Sequence, residues 1–220
     1  MRDLSSLLFL VVLLLAGAAV ACGGGDDGGG GGGPQASPFF FEPQETCDVD
    51  FAVTPPDVTV FGADAGDFLA DRFSLASGDF NDDGKDDVLV GAPLADGPEN
   101  ARENAGEAYI IFGTAEPAAQ IDLSQGAAFT FIGEQPGDNL GFTVAAGDVN
   151  GDGRDDAIIG ARFADAGQTG DAGKAYVVYG HTNIKGALDA AEGAQDVTIS
   201  GQALGGFLTV ALATGDIDGD

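Results

Sequence analysis

The sequence predicts an all-β protein, and within that class a β-propeller of four-stranded antiparallel blades. The first observation is an internal repeat, because residues 71–96 and 140–165 align without a gap and share 13 identities in 26 positions. The second is that each repeat unit holds four short segments rich in β-branched and aromatic residues, bounded by Gly, Asp or Pro. The third is that residues 57–220 carry no convincing apolar period of 3.6 residues. Short strands repeated in this way are typical of propeller blades rather than of helical solenoids.

The blades are predicted in chain order. A first blade spans residues 71–133, a second spans 140–201, and the start of a third spans 206–220. The strands take matching places in the two complete units, namely 73–78, 88–90, 106–113 and 129–133, then 142–147, 157–159, 173–180 and 197–201.

The remaining segments of this region are predicted as follows. Residues 57–62 resemble a fourth strand but precede the first unit, so we expect them to complete the last blade of a closed ring. The Ala-rich segments 115–119 and 187–194 are predicted as loops. Because a ring needs about four to eight blades, we expect the chain to be a fragment of a longer propeller protein.

An acidic nine-residue loop follows the first predicted strand of each unit. Its three copies start 69 and 68 residues apart; the first two place oxygen side chains at positions 1, 3, 5 and 9 with Gly at position 6, and the third runs only to position 5. Ca²⁺ requires such a set of oxygen ligands, and glycine allows the sharp turn beneath the ion. The predicted ligands are the side chains of Asp79, Asn81, Asp83 and Asp87 with the main-chain carbonyl of Lys85, and the side chains of Asp148, Asn150, Asp152 and Asp156 with the main-chain carbonyl of Arg154. A partial third site is predicted at Asp216, Asp218 and Asp220.

Two alternatives bear on these loops. An EF-hand needs a Glu at position 12 and flanking helices, whereas position 12 is Val90 or Ile159 within apolar runs that predict strands. An Asp- and Gly-rich turn without metal remains the second alternative, since these residues are common in turns. Asp86 and Asp155, at position 8, are predicted to point away from the loop into solvent.

The repeat resembles the FG-GAP repeat of integrin α-subunit β-propellers and their bacterial relatives. The resemblance rests on the pattern Phe-x₄-Gly-Asp-x-Asn-x-Asp-Gly-x-Asp-Asp-x₃-Gly-Ala-Pro and covers about residues 57–220. It implies a seven-bladed propeller with Ca²⁺ in the loop between the first two strands of some blades, and therefore the same ligands. Arg162 replaces the final Pro of this pattern, and Phe207 lies farther before its loop than Phe73 or Phe142. We therefore expect a longer or bulged first strand in the third unit.

The N-terminal segment predicts export. Residues 1–21 are predicted as a signal peptide, and Ala19-Val20-Ala21-Cys22 is similar to a bacterial lipobox in which Cys22 is lipidated. Residues 22–38 form the lipidated, Gly-rich flexible linker and 39–56 a connecting segment. An uncleaved anchor helix is the alternative. Either prediction places the rest of the chain outside the cytoplasm, with an outer-membrane lipoprotein at the cell surface favoured, and the second cysteine either free or paired with a cysteine outside this sequence.

The net charge and the motifs limit the classes of function that fit this sequence. A net charge of −28 disfavours a nucleic-acid partner. No nucleophile motif or phosphate-binding loop accompanies the single histidine, His181, which is predicted to be an ordinary loop residue. We therefore expect a non-enzymatic surface propeller, stabilised by Ca²⁺, that binds an extracellular protein or carbohydrate and meets the membrane only through its lipid anchor. The alternative is the scaffold part of a secreted calcium-dependent hydrolase or polysaccharide lyase.

Overall fold

The computed structural model describes residues 58–215 and the backbone of a two-residue strand at Val11–Val12. This part of the chain is all-β, and its only helices are the short 3₁₀ turns Pro98–Asn100, Leu123–Gln125 and Ala190–Glu192. In the described residues, no helix has the length and hydropathy of a membrane span. The strands are β1 (Val11–Val12), β2 (Thr59–Phe61), β3 (Leu75–Gly78), β4 (Asp87–Ala92), β5 (Glu107–Ile111), β6 (Gln120–Asp122), β7 (Phe129–Ile132), β8 (Leu140–Gly147), β9 (Asp156–Ala161), β10 (Lys174–Val178), β11 (Gly186–Asp189) and β12 (Val197–Ser200).

Two four-stranded antiparallel units follow one another along the chain. The first has the order β3-β4-β5-β7 and the second the order β8-β9-β10-β12, each with sequential antiparallel pairing. The all-β class and the blade architecture predicted from the repeat are thereby confirmed. Strands β4 and β9 are buried at every position, because each lies inside a sheet that is covered on its faces. This burial explains why their sequences read as continuous apolar runs rather than as alternating ones.

The blades are joined by short parallel strands. Strand β11 pairs parallel with β7 of the preceding blade, and β6 pairs parallel with β2 in the same way. The prediction of a loop over 187–194 is therefore wrong, because this segment contains most of β11 and the turn Ala190–Glu192. A four-residue strand held at the edge of a neighbouring sheet is stabilised by tertiary contact and leaves no periodicity in the sequence. Strand β2 therefore occupies the same place relative to β6 that β7 occupies relative to β11.

The main core lies between the two blades. It contains Phe80, Leu89 and Ile110 from the first blade, with Leu140, Ile159 and Tyr176 from the second, all of them buried. The rings of Phe131 and Tyr176 meet edge to face with centroids 5.5 Å apart, a favoured aromatic geometry. The faces that each blade could not bury alone are thus buried against each other.

Glycines allow the two sheets to approach at the backbone level. A Cβ built on Gly91 in β4 would lie 2.0 Å from the carbonyl oxygen of Gly141 in β8. Gly141 itself has φ 82°, where side chains are disfavoured, and its own Cβ would lie 2.4 Å from the carbonyl oxygen of Glu107. The Gly of the repeated Gly-Ala-Pro segment is therefore required by packing against the next blade.

The start of the third unit is less regular than predicted. Residues 206–215 contain no strand in the described part of the chain, so the longer or bulged strand expected after Phe207 is not formed there. The segment nevertheless runs along β8, since Thr143 Oγ1 donates to the carbonyl of Thr209 at 2.8 Å and Thr214 Oγ1 donates to the carbonyl of Ala146 at 2.5 Å. Among the described residues, no second strand of a third blade pairs with this segment. The hydrogen bonds between first and second strands that stabilise the other two blades are therefore not formed there.

Several predictions lie outside the described residues. They are the signal peptide 1–21 apart from Val11 and Val12, lipidation at Cys22, the linker 22–38, the connecting segment 39–56, and the partial loop at Asp216, Asp218 and Asp220. Val11 and Val12 pair antiparallel with Val60 and Thr59. The signal-peptide and lipoprotein assignments remain predictions.

Candidate metal-binding loops

The two complete acidic loops occupy equivalent places in their blades. Loop 1 (residues 79–87) joins β3 to β4, and loop 2 (residues 148–156) joins β8 to β9. Because the two blades have equivalent strand orders, both loops lie on the same rim of the two-blade unit, called here the loop rim. Glycine at position 6 is required by backbone conformation, since φ is 79° at Gly84 and 87° at Gly153.

The position 1 carboxylates organise the turn itself. Asp79 accepts hydrogen bonds from the amides of Asp83 at 3.1 Å and Gly84 at 2.8 Å. Asp148 accepts from the amides of Gly151, Asp152 and Gly153 at 2.8, 3.1 and 2.8 Å. These amide donors, first of all Gly153, lower the pKa of the Asp148 carboxyl, because they stabilise its charged form.

The position 9 carboxylates lie at the buried end of each loop. Asp87 is fully buried and accepts from the amides of Phe80 at 3.1 Å and Gly113 at 2.8 Å. Asp156 is equally buried and accepts from the amides of Val149 at 3.0 Å and Gly180 at 2.9 Å. Each therefore ties its own loop to the end of the third strand of the blade.

The burial of these carboxylates affects their ionisation. Burial raises the pKa of Asp87 to about 6, and the negative charges of Asp79 and Asp83 add to the effect, although the amides of Gly113 and Phe80 oppose it. Burial also raises the pKa of Asp156, with Asp152 and Asp148 contributing. A buried carboxylate near other carboxylates costs free energy when ionised, so each loop would gain from a cation placed among them.

The residues at positions 3, 5 and 7 complete the loops. Asn81 Oδ1 is buried and accepts no hydrogen bond in the described part of the chain, whereas Asn150 Oδ1 accepts from the amide of Asp152 at 2.9 Å. At position 5, Asp83 pairs with Lys85 Nζ at 2.9 Å and Asp152 pairs with Arg154 Nη1 at 3.1 Å. The position 7 side chains are thus ion-paired within their own loops.

The donor set fits a hard cation by its chemistry. All predicted side-chain ligands are oxygens, which suit Ca²⁺ or Mg²⁺ rather than Zn²⁺ or copper, and Asn81 Oδ1 is a buried oxygen without a donor. In the geometry of the described residues, no group of three or more carboxylate, histidine or cysteine side chains converges as a metal cluster. The position 1 and position 9 carboxylates are instead directed to backbone amides. The structure therefore gathers the predicted ligands into one short turn but leaves their role in metal binding a prediction.

The two loops touch each other, which the sequence did not indicate. The prediction that Asp155 points into solvent is wrong, because its Oδ2 accepts from the amide of Asp79 in loop 1 at 2.9 Å. Arg154 also reaches loop 1, with Nε 3.4 Å from Asp82 Oδ2. Asp86, the equivalent of Asp155 in loop 1, is exposed as predicted. Both positions carry the same amino acid, so only the neighbouring blade distinguishes them.

A cavity opens at the rim opposite to the loops. It has a volume of about 700 Å³ and lies between the segment after β7 and the loop after β9. Its charged lining residues are Glu134, Asp138, Asp165, Asp171 and Lys174. The cavity is therefore acidic and combines side chains from both blades.

Ionisable groups in this cavity are held by specific contacts. Lys174 Nζ donates to Glu134 Oε2 at 2.5 Å, and Tyr176 Oη donates to the same oxygen at 3.1 Å. Burial raises the pKa of Asp138 to about 6, with Glu134 and Asp165 adding to the rise while the amide of Gln135 and the charge of Lys174 oppose it.

Arg162, noted in the sequence only for replacing a proline, has a structural role beside the cavity. Its guanidinium carbon lies 4.7, 5.1 and 5.2 Å from the ring centroids of Phe142, Phe163 and Phe207. These distances are those of cation–π contacts. Phe163 also lines the cavity. Arg162 therefore links the second blade to the segment that begins the third unit.

Fold and site together define an all-β repeat protein made of propeller blades, each with an acidic turn between its first and second strands. Residues 73–111 and 140–178 match the model of the FG-GAP repeat, so the chain carries two FG-GAP repeats. The resemblance to FG-GAP and integrin α propellers predicted from the motif is thereby confirmed.

Curated proteins with similar sequences include phospholipases and integrin alpha chains. The chain is 36% identical over 148 residues to phosphatidylinositol-glycan-specific phospholipase D of Rattus norvegicus, and the aligned region covers 66% of this chain and 17% of that protein. It is 34% identical over 115 residues to integrin alpha pat-2 of Caenorhabditis elegans (52% of this chain, 8% of that protein). It is 31% identical over 153 residues to integrin alpha-5 of Xenopus laevis (67% and 12%). The chain thus spans less than a fifth of the length of these relatives.

Proposed function

We propose that this chain is a calcium-stabilised propeller module that acts outside the cytoplasm and binds a protein or carbohydrate partner without catalysing a reaction. The observation that carries the proposal is the repetition of one oxygen-rich turn at one place in successive blades. A turn that served only to reverse the chain would not need a fully buried carboxylate at position 9, together with acids at positions 1 and 5.

Calcium would be held by the predicted oxygen ligands of loops 1 and 2, with a partial third site at Asp216, Asp218 and Asp220. When bound, the ion supplies positive charge to carboxylates that otherwise repel one another. Asp87 and Asp156 support this role, since burial raises the pKa of both. Asn81 would contribute the side-chain oxygen that lacks a hydrogen-bond donor. Extracellular calcium modules bind in the range of about 10⁻⁴–10⁻³ M, which suits permanent occupancy outside the cell.

The partner and the location are supported by charge, by the relatives and by the predicted N-terminal export signal. A net charge of −28 opposes binding to nucleic acid. Several of the relatives are named as integrin alpha chains, which favours an interaction module exposed at a cell surface. Lipidation at Cys22 would tether such a module to the outer membrane. The acidic cavity opposite to the loop rim would contribute to the partner surface, because it is concave and brings together two blades.

A second candidate is the scaffold of a secreted calcium-dependent hydrolase or polysaccharide lyase. The observation in its favour is the similarity to phosphatidylinositol-glycan-specific phospholipase D in Rattus norvegicus, Bos taurus and Homo sapiens. In each case the similarity covers 17% of the relative, so it concerns one part of a larger enzyme. An assay of the complete protein on phosphatidylinositol-glycan and polysaccharide substrates separates the candidates, because turnover abolished by chelator would favour the enzyme.

Thermal unfolding with calcium and with chelator tests the calcium part of the proposal. A calcium concentration of 100 times the Kd would stabilise the fold by about 2.7 kcal/mol per site. We expect Asp83→Ala and Asp152→Ala to lose most of this gain while changing the melting temperature little in chelator, because both acids lie on exposed parts of the loops. Asp86→Ala is the matched control and should behave as the parent. Equal melting shifts of Asp83→Ala in calcium and in chelator would contradict the proposal.

A further inference from the structure

We infer that the two complete loops are coupled, so that Ca²⁺ in loop 1 strengthens Ca²⁺ binding in loop 2 through Asp155 and Arg154. The inference rests on the proposed function, because it assumes that both loops bind the ion. It assigns to position 8 of the loop, which holds none of the predicted ligands, a positioning role toward the site in the preceding blade.

Asp155 forms a two-way contact with the first residue of loop 1. Its Oδ2 accepts from the amide of Asp79 at 2.9 Å, and its own amide donates to the carbonyl of Asp79 at 3.3 Å. Asp155 stands between Arg154 and Asp156, both predicted ligands of the second site, while Asp79 is the first predicted ligand of the first site. One pair of hydrogen bonds therefore fixes the backbone of both sites.

Glycines make this close contact possible. A Cβ on Gly78 would lie 2.8 Å from the Cβ of Asp155. A Cβ on Gly180, at the end of the third strand, would lie 2.3 Å from the carbonyl oxygen of Asp155 and 3.1 Å from that of Phe80. Gly180 also donates its amide to Asp156 at 2.9 Å. The backbones of the two loops consequently meet at one point, with no side chain between them.

Arg154 forms the second connection. Its Nε lies 3.4 Å from Asp82 in loop 1, and its Nη1 lies 3.1 Å from Asp152 in loop 2. An arginine shared between the loops places one positive charge at their boundary. If an ion drew Asp152 toward itself, the guanidinium would remain available to Asp82, so binding in loop 2 would not release loop 1.

The sign of the coupling follows from two opposing effects. Ordering the backbone of one loop lowers the entropy cost of ordering the other, which favours positive coupling. The first ion also reduces the negative field felt by the second, which opposes it. Loop 1 carries five carboxylates and one lysine and loop 2 four carboxylates and one arginine, so both remain acidic after binding one Ca²⁺. Solvent and salt screen the field between exposed charges, whereas the direct hydrogen bonds remain. We therefore expect the positive term to dominate.

The chain provides its own matched control. Asp86 has the position in loop 1 that Asp155 has in loop 2, but it is exposed and its side chain makes no hydrogen bond among the described residues. Removing Asp86 changes the same charge at the same place in the motif without breaking the contact between the loops.

Calorimetric titration of the full chain with Ca²⁺ alone, at fixed ionic strength, tests the inference. The affinity of loop 2 is measured in the presence and absence of site 1, which Asp83→Ala removes; Asp152→Ala identifies the loop 2 signal. This comparison is made in the parent and in Asp155→Ala, Asp155→Asn, Arg154→Gln and Asp86→Ala backgrounds. We expect Asp83→Ala to weaken binding in loop 2 about fivefold, at the lower end of typical coupling between sites.

The backgrounds distinguish the mechanism. The fivefold effect should disappear with Asp155→Ala and persist with Asp86→Ala. It should largely persist with Asp155→Asn, whose amide oxygen can still accept from Asp79, and should diminish with Arg154→Gln, which also serves as the test if Asp155→Ala does not fold.

Three results would overturn the inference. They are independent binding in the parent, tighter binding in loop 2 after Asp83→Ala, or an equal effect of Asp83→Ala in every background. If the parent takes up no calcium, the proposed function fails together with the inference, whereas calcium uptake without coupling leaves the proposed function intact.

Discussion

Replacing Gly91 by alanine should disrupt the contact between the blades. The added Cβ would lie 2.0 Å from the carbonyl oxygen of Gly141 and 2.8 Å from its Cα, far inside van der Waals contact. The atoms in the way belong to the backbone of β8, so no side-chain rotation can relieve the clash. The two sheets must separate by roughly 1 Å or the strand must distort, and overpacking of this kind costs about 1–3 kcal/mol. We expect the upper end, about 3 kcal/mol.

The assay is thermal unfolding followed by circular dichroism. For a chain of this size, about 3 kcal/mol corresponds to a melting temperature lower by roughly 6–12 °C. Gly62→Ala is the matched control, because its Cβ would meet nothing closer than Leu69 Cβ at 3.5 Å. It should melt within about 2 °C of the parent, as neutral surface changes do. If Gly91→Ala melts with the control, the close backbone approach between β4 and β8 is not present in solution.

Three further predictions concern charged groups. Arg102→Lys should lower the free energy of unfolding, measured by urea titration, by about 1–2 kcal/mol. Arg102 donates through both Nη atoms to the carboxylate of Asp189 in the next blade, and a lysine cannot form this bidentate pair. As a control, Arg72→Ala should change the free energy of unfolding by less than about 0.5 kcal/mol, because the side chains of Arg72 and its ion-pair partner Asp71, 3.9 Å away, are both exposed. The raised pKa of Asp138, about 6 against an ordinary 3.8, means that its contribution to stability is fully present below about pH 4 and is lost as the pH rises to about 6. In urea titrations across that range, Asp138→Asn should therefore lose less stability than the parent, and an unchanged profile would contradict the assignment. Arg162→Gln should lower the melting temperature by a few degrees, since about 1–2 kcal/mol of cation–π contact is lost, and an unchanged melting temperature would show that the stack contributes nothing.

Much of the fold could be predicted because the information is local and repeated. The strands around each loop follow from apolar runs that stop at Asp or Gly, and β4 and β9 begin at the predicted position 9 acids Asp87 and Asp156. Because the same series of strand segments occurs twice, it predicts repeated blades rather than isolated strands. The spacing of the acids and the glycine also predicts a sharp turn between two strands, which the structure forms in both loops.

The features that could not be predicted depend on contacts between repeats. Asp86 and Asp155 are the same residue at the same loop position, yet only Asp155 meets a preceding loop among the described residues. Strand β11 forms because the edge of β7 is available to it, and Arg162 is held by rings from three separate segments. No pattern within one repeat contains such information, because it arises only when neighbouring blades are packed together.

Equilibrium dialysis of the folded protein against Ca²⁺, followed by metal analysis, tests whether loops 1 and 2 bind calcium. The assignment of ligands in loops 1 and 2 predicts that the chain retains at least two ions, that Asp83→Ala and Asp152→Ala each remove one, and that Asp86→Ala removes none. A folded protein that retains no calcium, or the same number of ions in all of these variants, would contradict it.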